Sequence, residues 1–182
     1  MSDACVSYAV VAYLKGELAQ FVENLRREVH PEHAHLPAHI TVLPPRPLAG
    51  SEGDAVEWMV EQCASVPPFD VVMGDVESFI PTTPTVFIRV AHAAYRIREL
   101  HDRLNSGPFA YKEELLFMPH LTIAKLETIE KARQVQEISR DRWDRYEGAH
   151  CARIEHLSFV RGHDALWTDL APVTLKQKVT TS

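Results

Sequence analysis

The sequence predicts an α+β fold with a duplicated core, and three observations carry that prediction. Apolar residues alternate between the two-residue period of strands and the three-to-four-residue period of helices. The alternation falls into two similar halves, with no low-complexity region or obvious long linker between them. Each half also holds the same short phrase, a proline followed by His-aliphatic-Thr-aliphatic. It reads "PAHITVL" from Pro37 to Leu43 and "MPHLTIA" from Met118 to Ala124, with a helical pattern close behind each copy.

Tyr8 to Leu14 is a buried strand, too short to span a membrane, with no cationic stretch before it of the kind that marks a secretory signal. Leu18, Phe21, Val22, Leu25 and Val29 follow at helical spacing, so a helix is expected from about Glu17 to His30, ended by Pro31. "HPEHAHLP" is a loop, and Ile40 to Leu43 a strand stopped by Pro44 and Pro45. Ser51, with Asp54 three residues on, starts a helix whose apolar face is Val56, Met59, Val60 and Cys63, closed by Pro67 and Pro68. "FDVVMGDVESFI" and "TVFIRVA" are strands on either side of a "PTTP" turn. Ile97, Leu100 and Leu104 mark a third helix ending near "NSGP". After the second His-Thr strand comes a long helix from about Ile129 to Tyr146, with Gly148 as its stop. "ARIEHLSFVRG" and "ALWTDLAPVTL" form a closing hairpin, and the polar end from about Lys176 frays.

Bulk properties narrow the function. The 182 residues suit one domain or two small lobes, and 46% apolar with 24% charged residues is ordinary for a soluble globular chain. A net charge of -6 disfavours sequence-blind binding to long nucleic acid, which needs a basic surface, but leaves room for a small anion in a local pocket. Cys5, Cys63 and Cys151 are odd in number, scattered and without a CxxC pair, which points to reduced thiols and a cytoplasmic setting. No dinucleotide or nucleoside-triphosphate fingerprint occurs.

The repeated phrase carries the chemistry. Side chains alternate across a strand, so His39 and Thr41 share one face while Ile40 and Val42 share the other, and His120 and Thr122 stand likewise against Leu121 and Ile123. Two such strands facing one cleft surround a tetrahedral phosphate with two hydroxyl donors and two imidazoles. One neutral histidine takes a proton from the attacking group, and a protonated partner gives one to the leaving oxygen. "HLS" at His156 to Ser158 nearly matches the phrase but lacks the complete pattern.

These two phrases resemble the paired His-x-Thr-x motifs of the 2H phosphoesterase superfamily, most closely its 2'-5' RNA ligase and RNA 2',3'-cyclic phosphodiesterase-like branch. The resemblance implies a bilobal fold of two antiparallel-type sheets flanked by helices, with the active-site cleft between them. It places approximate lobes at 1–91 and 92–175, within one domain that ends in a frayed tail at 176–182. By the same resemblance His39 and His120 are the catalytic pair and Thr41 and Thr122 bind the phosphate, with no metal or other cofactor. The implied substrate is a cyclic nucleotide or an RNA end bearing a 2',3'-cyclic phosphate. No long duplex and no membrane are expected as partners, and 2'-5' RNA ligation or non-catalytic binding of nucleotides or RNA ends are the alternatives.

Other residues offer competing chemistry. His30, His33, His35 and His39, with Glu32, are dense enough to bind zinc, but the stretch is a proline-punctuated loop without a metal signature. His150 and Cys151 are adjacent and point to opposite faces, so Cys151 is expected in the core. Arg46 and Lys125 closely follow the two phrases and are candidates to steer an anion. Phe79, Phe159 and Trp167 can stack on a base but are expected in the core.

Overall fold

The computed structural model describes residues 6–163 and 166–176, with His33 and His163 described by their backbone alone. Most of the frayed tail expected from the sequence therefore lies outside the described residues. In chain order the larger elements are β1 (Ser7–Tyr13), α1 (Gly16–Val29), β2 (His39–Arg46), α2 (Glu52–Cys63), β3 (Phe69–Ser78), β4 (Thr85–His92), α3 (Ala94–Leu104), β5 (His120–Lys125), α4 (Ile129–Asp144), β6 (Cys151–Ile154), β7 (His156–His163) and β8 (Leu166–Thr174).

The α+β class is as expected, but the two sheets are one. A single antiparallel sheet runs β6-β3-β4-β5-β2-β1-β7-β8. Four strands on each side meet only where β2 pairs with β5, through Ile40 and Leu121. The two sides interleave in sequence: β3 and β4 join β5 and β6, while β7 and β8 return to β1. Residues 1–91 therefore do not build one side alone. The helices cross over too, with α1 packing on β5 and α3 on β2.

Connectivity shows that the sheet curls. β6 and β7 stand first and seventh in the order, about 29 Å apart if the sheet were flat at ~4.8 Å per strand. Only Glu155 separates them in the chain, and two residues reach at most about 7 Å. The sheet must fold back on itself, and the core of aliphatic and aromatic side chains fills the face that the helices cover. This also corrects the reading of "ARIEHLSFVRG" as one strand, because its first residues belong to β6 at the far edge.

Several local expectations hold, and the failures have identifiable causes. Ser51 caps α2 through a complete capping box, accepting from the Asp54 N–H while Asp54 accepts from the Ser51 N–H. The buried face of α2 is Ala55, Met59 and Cys63, whereas Val60 is exposed. The β2 strand runs through Pro44 and Pro45 instead of stopping before them. Tyr8 pairs with Arg46 and Val10 with Leu43, so two prolines oppose one β1 residue in a bulge, where no ladder N–H is required of them. Gly148 does not stop α4, which ends at Arg145 in right-handed conformation. A Cβ at Gly148 would strike the Tyr146 ring instead. Cys151 is exposed rather than core, because it opens the edge strand β6.

Arg46 is the largest departure. It is neither a solvated charge nor an anion guide, because its guanidinium is fully buried. It donates to the carbonyls of Pro44 and Phe109, to Asn105 Oδ1 and to the Glu113 carboxylate. Removing one partner of such a buried pair leaves an uncompensated charge and costs about 3–5 kcal/mol. We expect Arg46→Ala to lower unfolding free energy by that amount in urea denaturation, whereas a loss under 1 kcal/mol would show that the pair does not anchor the fold.

Candidate active site

The site begins with the one residue pair that joins β2 to β5. Ile40 and Leu121 are directly opposed and fully buried on the helix-covered face. Parity then turns His39, Thr41, His120 and Thr122 to the other face. The antiparallel direction of the two strands puts His39 on the same side of this junction as Thr122, and Thr41 on the same side as His120. All four side chains line one cavity of about 1280 Å³.

Each imidazole is held in the same way. His39 Nδ1 lies 2.7 Å from the Pro37 carbonyl, and His120 Nδ1 lies 2.6 Å from the Met118 carbonyl. A carbonyl only accepts, so in both rings Nδ1 carries the proton that is donated and Nε2 is left to exchange protons. Aromatic rings flank them on both sides. Trp167 lies 5.1 Å from His39 between centroids, and Phe79 stands edge-on to His120 at 5.0 Å. Tyr13, opposite His39 on β1, meets it edge-on and donates from its hydroxyl to Asp169 at 2.6 Å.

With this geometry in hand, comparison with known proteins is decisive. A model of the 2'-5' RNA ligase superfamily matches residues 14–166. The chain belongs to the 2'-5' RNA ligase superfamily, a group of 2H phosphoesterases. A Geobacillus thermodenitrificans relative named "Putative phosphoesterase" is 29% identical over 123 residues, covering 66% of this chain and 69% of the relative. A Halalkalibacterium halodurans protein of the same description is 30% identical over 122 residues, covering 66% and 70%. Among solved structures, Escherichia coli LigT complexed with 3'-AMP superposes with a TM-score of 0.62 at 15% identity, covering 94% of this chain and 99% of LigT. That likeness establishes the shared fold.

Against this superfamily background, the site's electrostatics follow from burial. His39 is pushed down to about 4, first by burial, against the pull of the Pro37 hydrogen bond, with Arg26, Lys125 and His120 adding positive charge nearby. His120 is lowered in the same direction, again first by burial, with Lys125 adding to it. His120 contributes to the field at His39, so the two rings share one electrostatic environment.

The cavity also contains residues that the sequence reading missed or misplaced. Arg26 is buried on the apolar stripe of α1, four residues beyond Val22. It donates to the Thr122 carbonyl at 2.6 and 3.0 Å and to the Leu36 carbonyl at 2.9 Å. A cation inside an apolar stripe was the available signal. Phe79 and Trp167 line the cavity rather than the core, whereas Phe159 is core. Lys125 also lines the cavity. Of the loop histidines weighed for zinc, the side chain of His33 lies outside the described residues. His30 Nε2 engages the Lys125 carbonyl at 2.8 Å, and among the described residues no group of three or more His, Cys, Asp or Glu is placed to hold a metal.

The depressed histidines predict how stability depends on pH. Above about 6.5, His39 is neutral in the folded and unfolded states and contributes nothing. Between 6.5 and about 4 the unfolded chain takes up a proton that the folded chain refuses, so stability falls as pH falls. His39 alone accounts for about 2 kcal/mol between pH 7 and pH 5. His39→Gln is expected to flatten the urea-denaturation pH dependence by that amount, and an unchanged slope would contradict a buried neutral His39.

Proposed function

We propose that this chain is a metal-independent phosphodiesterase that opens a 2',3'-cyclic phosphate on a nucleotide or RNA end, with His39 and His120 as general acid and base and Thr41 and Thr122 as phosphate ligands. The observation that carries the reading is the placing of both histidines and both threonines on the common cavity face of two paired strands. Supporting it are the superfamily membership and relatives described as phosphoesterases. LigT has been crystallised with 3'-AMP, NADP+ and ATP, which supports a pocket of nucleotide dimensions.

The steps follow from the side chains. The threonine hydroxyls donate to the non-bridging oxygens, and the positive charges of Arg26 and Lys125 favour an anion between the strands. Nε2 of the neutral histidine takes a proton from water as its oxygen attacks phosphorus. The bond from phosphorus to one ribose oxygen breaks, and the protonated histidine gives its Nε2 proton to that oxygen. The product is a phosphomonoester beside a free hydroxyl, and the net proton count is unchanged. His39, the more deeply buried of the two and held down to about 4, suits the base, and His120 suits the acid. A second reading rests on the superfamily's description: a ribose hydroxyl replacing water turns the same steps into 2'-5' ligation.

A screen of cyclic nucleotides and cyclic-phosphate oligonucleotides in chelator tests the reading. Turnover is expected to survive EDTA, and binding without turnover would identify a binding module. His39→Ala and His120→Ala should each lower kcat by about a hundredfold to ten-thousandfold. Thr41→Val or Thr122→Val should cost about tenfold to a hundredfold, the worth of one hydrogen bond to a charged oxygen. Parent rates in both histidine variants would refute the assignment.

Both imidazoles are lowered by burial in the free protein, so the state with one neutral and one protonated ring is most populated below the ordinary histidine value of about 6.5. The bell-shaped profile of kcat/KM is therefore expected to peak on the acid side of 6.5. A peak above pH 7.5 would contradict the buried acid–base pair.

A further inference from the structure

We infer that the site takes a small, singly charged cyclic phosphodiester with an aromatic or apolar body, a cyclic mononucleotide, in preference to the end of an RNA chain. The inference rests on the phosphodiesterase reading above and narrows its substrate class. It starts from the charge around the cavity. Among the described lining residues the guanidinium and ammonium groups are those of Arg26 and Lys125, set against the carboxylates of Glu113 and Glu114. Arg26 has its Nε, Nη1 and Nη2 engaged by backbone carbonyls. Glu113 is committed to Arg46 and to His101 Nε2 at 3.0 Å. What faces an incoming anion, beside the two His-Thr pairs, is the buried charge of Arg26, one exposed lysine, one exposed glutamate and the exposed ring of His35. That balance suits one phosphate. Proteins that track single-stranded nucleic acid use a continuous cationic groove, because each further phosphate needs its own counter-charge.

The wall beyond the phosphate position is of the opposite character. Pro44, Pro45, Tyr111, Leu115, Leu116 and Phe117 line it. Leu115 is 64% and Leu116 99% exposed, in the irregular segment between Ala110 and Pro119. Two adjacent leucines offered to water at a cavity mouth form an apolar patch of the kind that marks a binding surface. The segment is not loosely tethered: Glu113 is fixed by the buried Arg46, and Phe117 stacks on His101 with centroids 4.0 Å apart and planes 7° off parallel. The apolar rim is thus held over a cavity whose floor binds one charge. A nucleoside body fits that rim, whereas the charged backbone of a longer chain would have to leave past Glu114 and the leucines.

The test compares adenosine 2',3'-cyclic monophosphate with an adenosine trinucleotide ending in a 2',3'-cyclic phosphate, using the unmodified protein over a range of KCl concentrations. The mononucleotide is expected to have at least a tenfold higher kcat/KM. Its log–log salt slope should be no steeper than about -1, since one phosphate contributes ~0.7. Equal or higher kcat/KM for the trinucleotide, or a slope steeper than about -2 with it, overturns the inference while leaving the phosphodiesterase reading intact. Turnover of neither compound removes that reading, and this inference with it. The exposed double variant Leu115→Ser/Leu116→Ser should raise KM for the mononucleotide about threefold to tenfold and leave kcat within twofold. An unchanged KM also overturns the proposal.

Discussion

Everything in the site depends on one pairing, Ile40 against Leu121. Both side chains are fully buried beneath the helices, and each sits between a histidine and a threonine in its own strand. Burying the aliphatic pair fixes the register, and a slip of one residue would reverse the face of every neighbouring side chain. The hydrophobic effect thus orients the polar groups by strand parity alone. Because the two strands meet at only this point, they diverge on either side of it, and the cavity lies on the face they turn away from the core.

A second layer holds the imidazoles themselves. Each ring donates to a carbonyl two residues upstream, so the turn entering the strand sets the tautomer of the histidine that opens it. Arg26 then ties α1 to β5 through the Thr122 carbonyl, bringing a buried cation, lowered to about 10 by burial yet still charged at neutral pH, to the cavity that the two His-Thr pairs line. Arg46, Glu113 and His101 do the equivalent work for the segment leading to Met118, whose carbonyl holds His120. Core packing and site geometry therefore share the same bonds.

Local signals were legible in the sequence where the structure depends on neighbours in the chain. The periodicity of α1, the capping box at Ser51 and the parity of both His-Thr phrases needed no information from elsewhere. Features set by distant partners were not. The Pro44–Pro45 pair reads as a strand stop, and only the bulge against β1 allows the strand to continue. "ARIEHLSFVRG" has unbroken strand character, and only a curled sheet lets its two pieces be the first and the seventh strand of one order. Arg46 looks like a solvated charge at a strand end until Asn105, Glu113 and the Phe109 carbonyl close around it. Phe79 and Trp167 are apolar enough for the core, and their places beside the histidines follow from strand pairings far apart in sequence.

The central claim is that two imidazoles, each with Nδ1 tied to backbone, offer their Nε2 atoms to one anion. A long-range 1H–15N NMR spectrum of the side chains, recorded at pH 7 during titration with inorganic phosphate, tests it directly. His39 and His120 are both expected to begin as the Nδ1–H neutral tautomer, and both Nε2 signals to move with a single binding curve. An Nε2–H tautomer at either residue, or a phosphate response confined to one of the two rings, would contradict it.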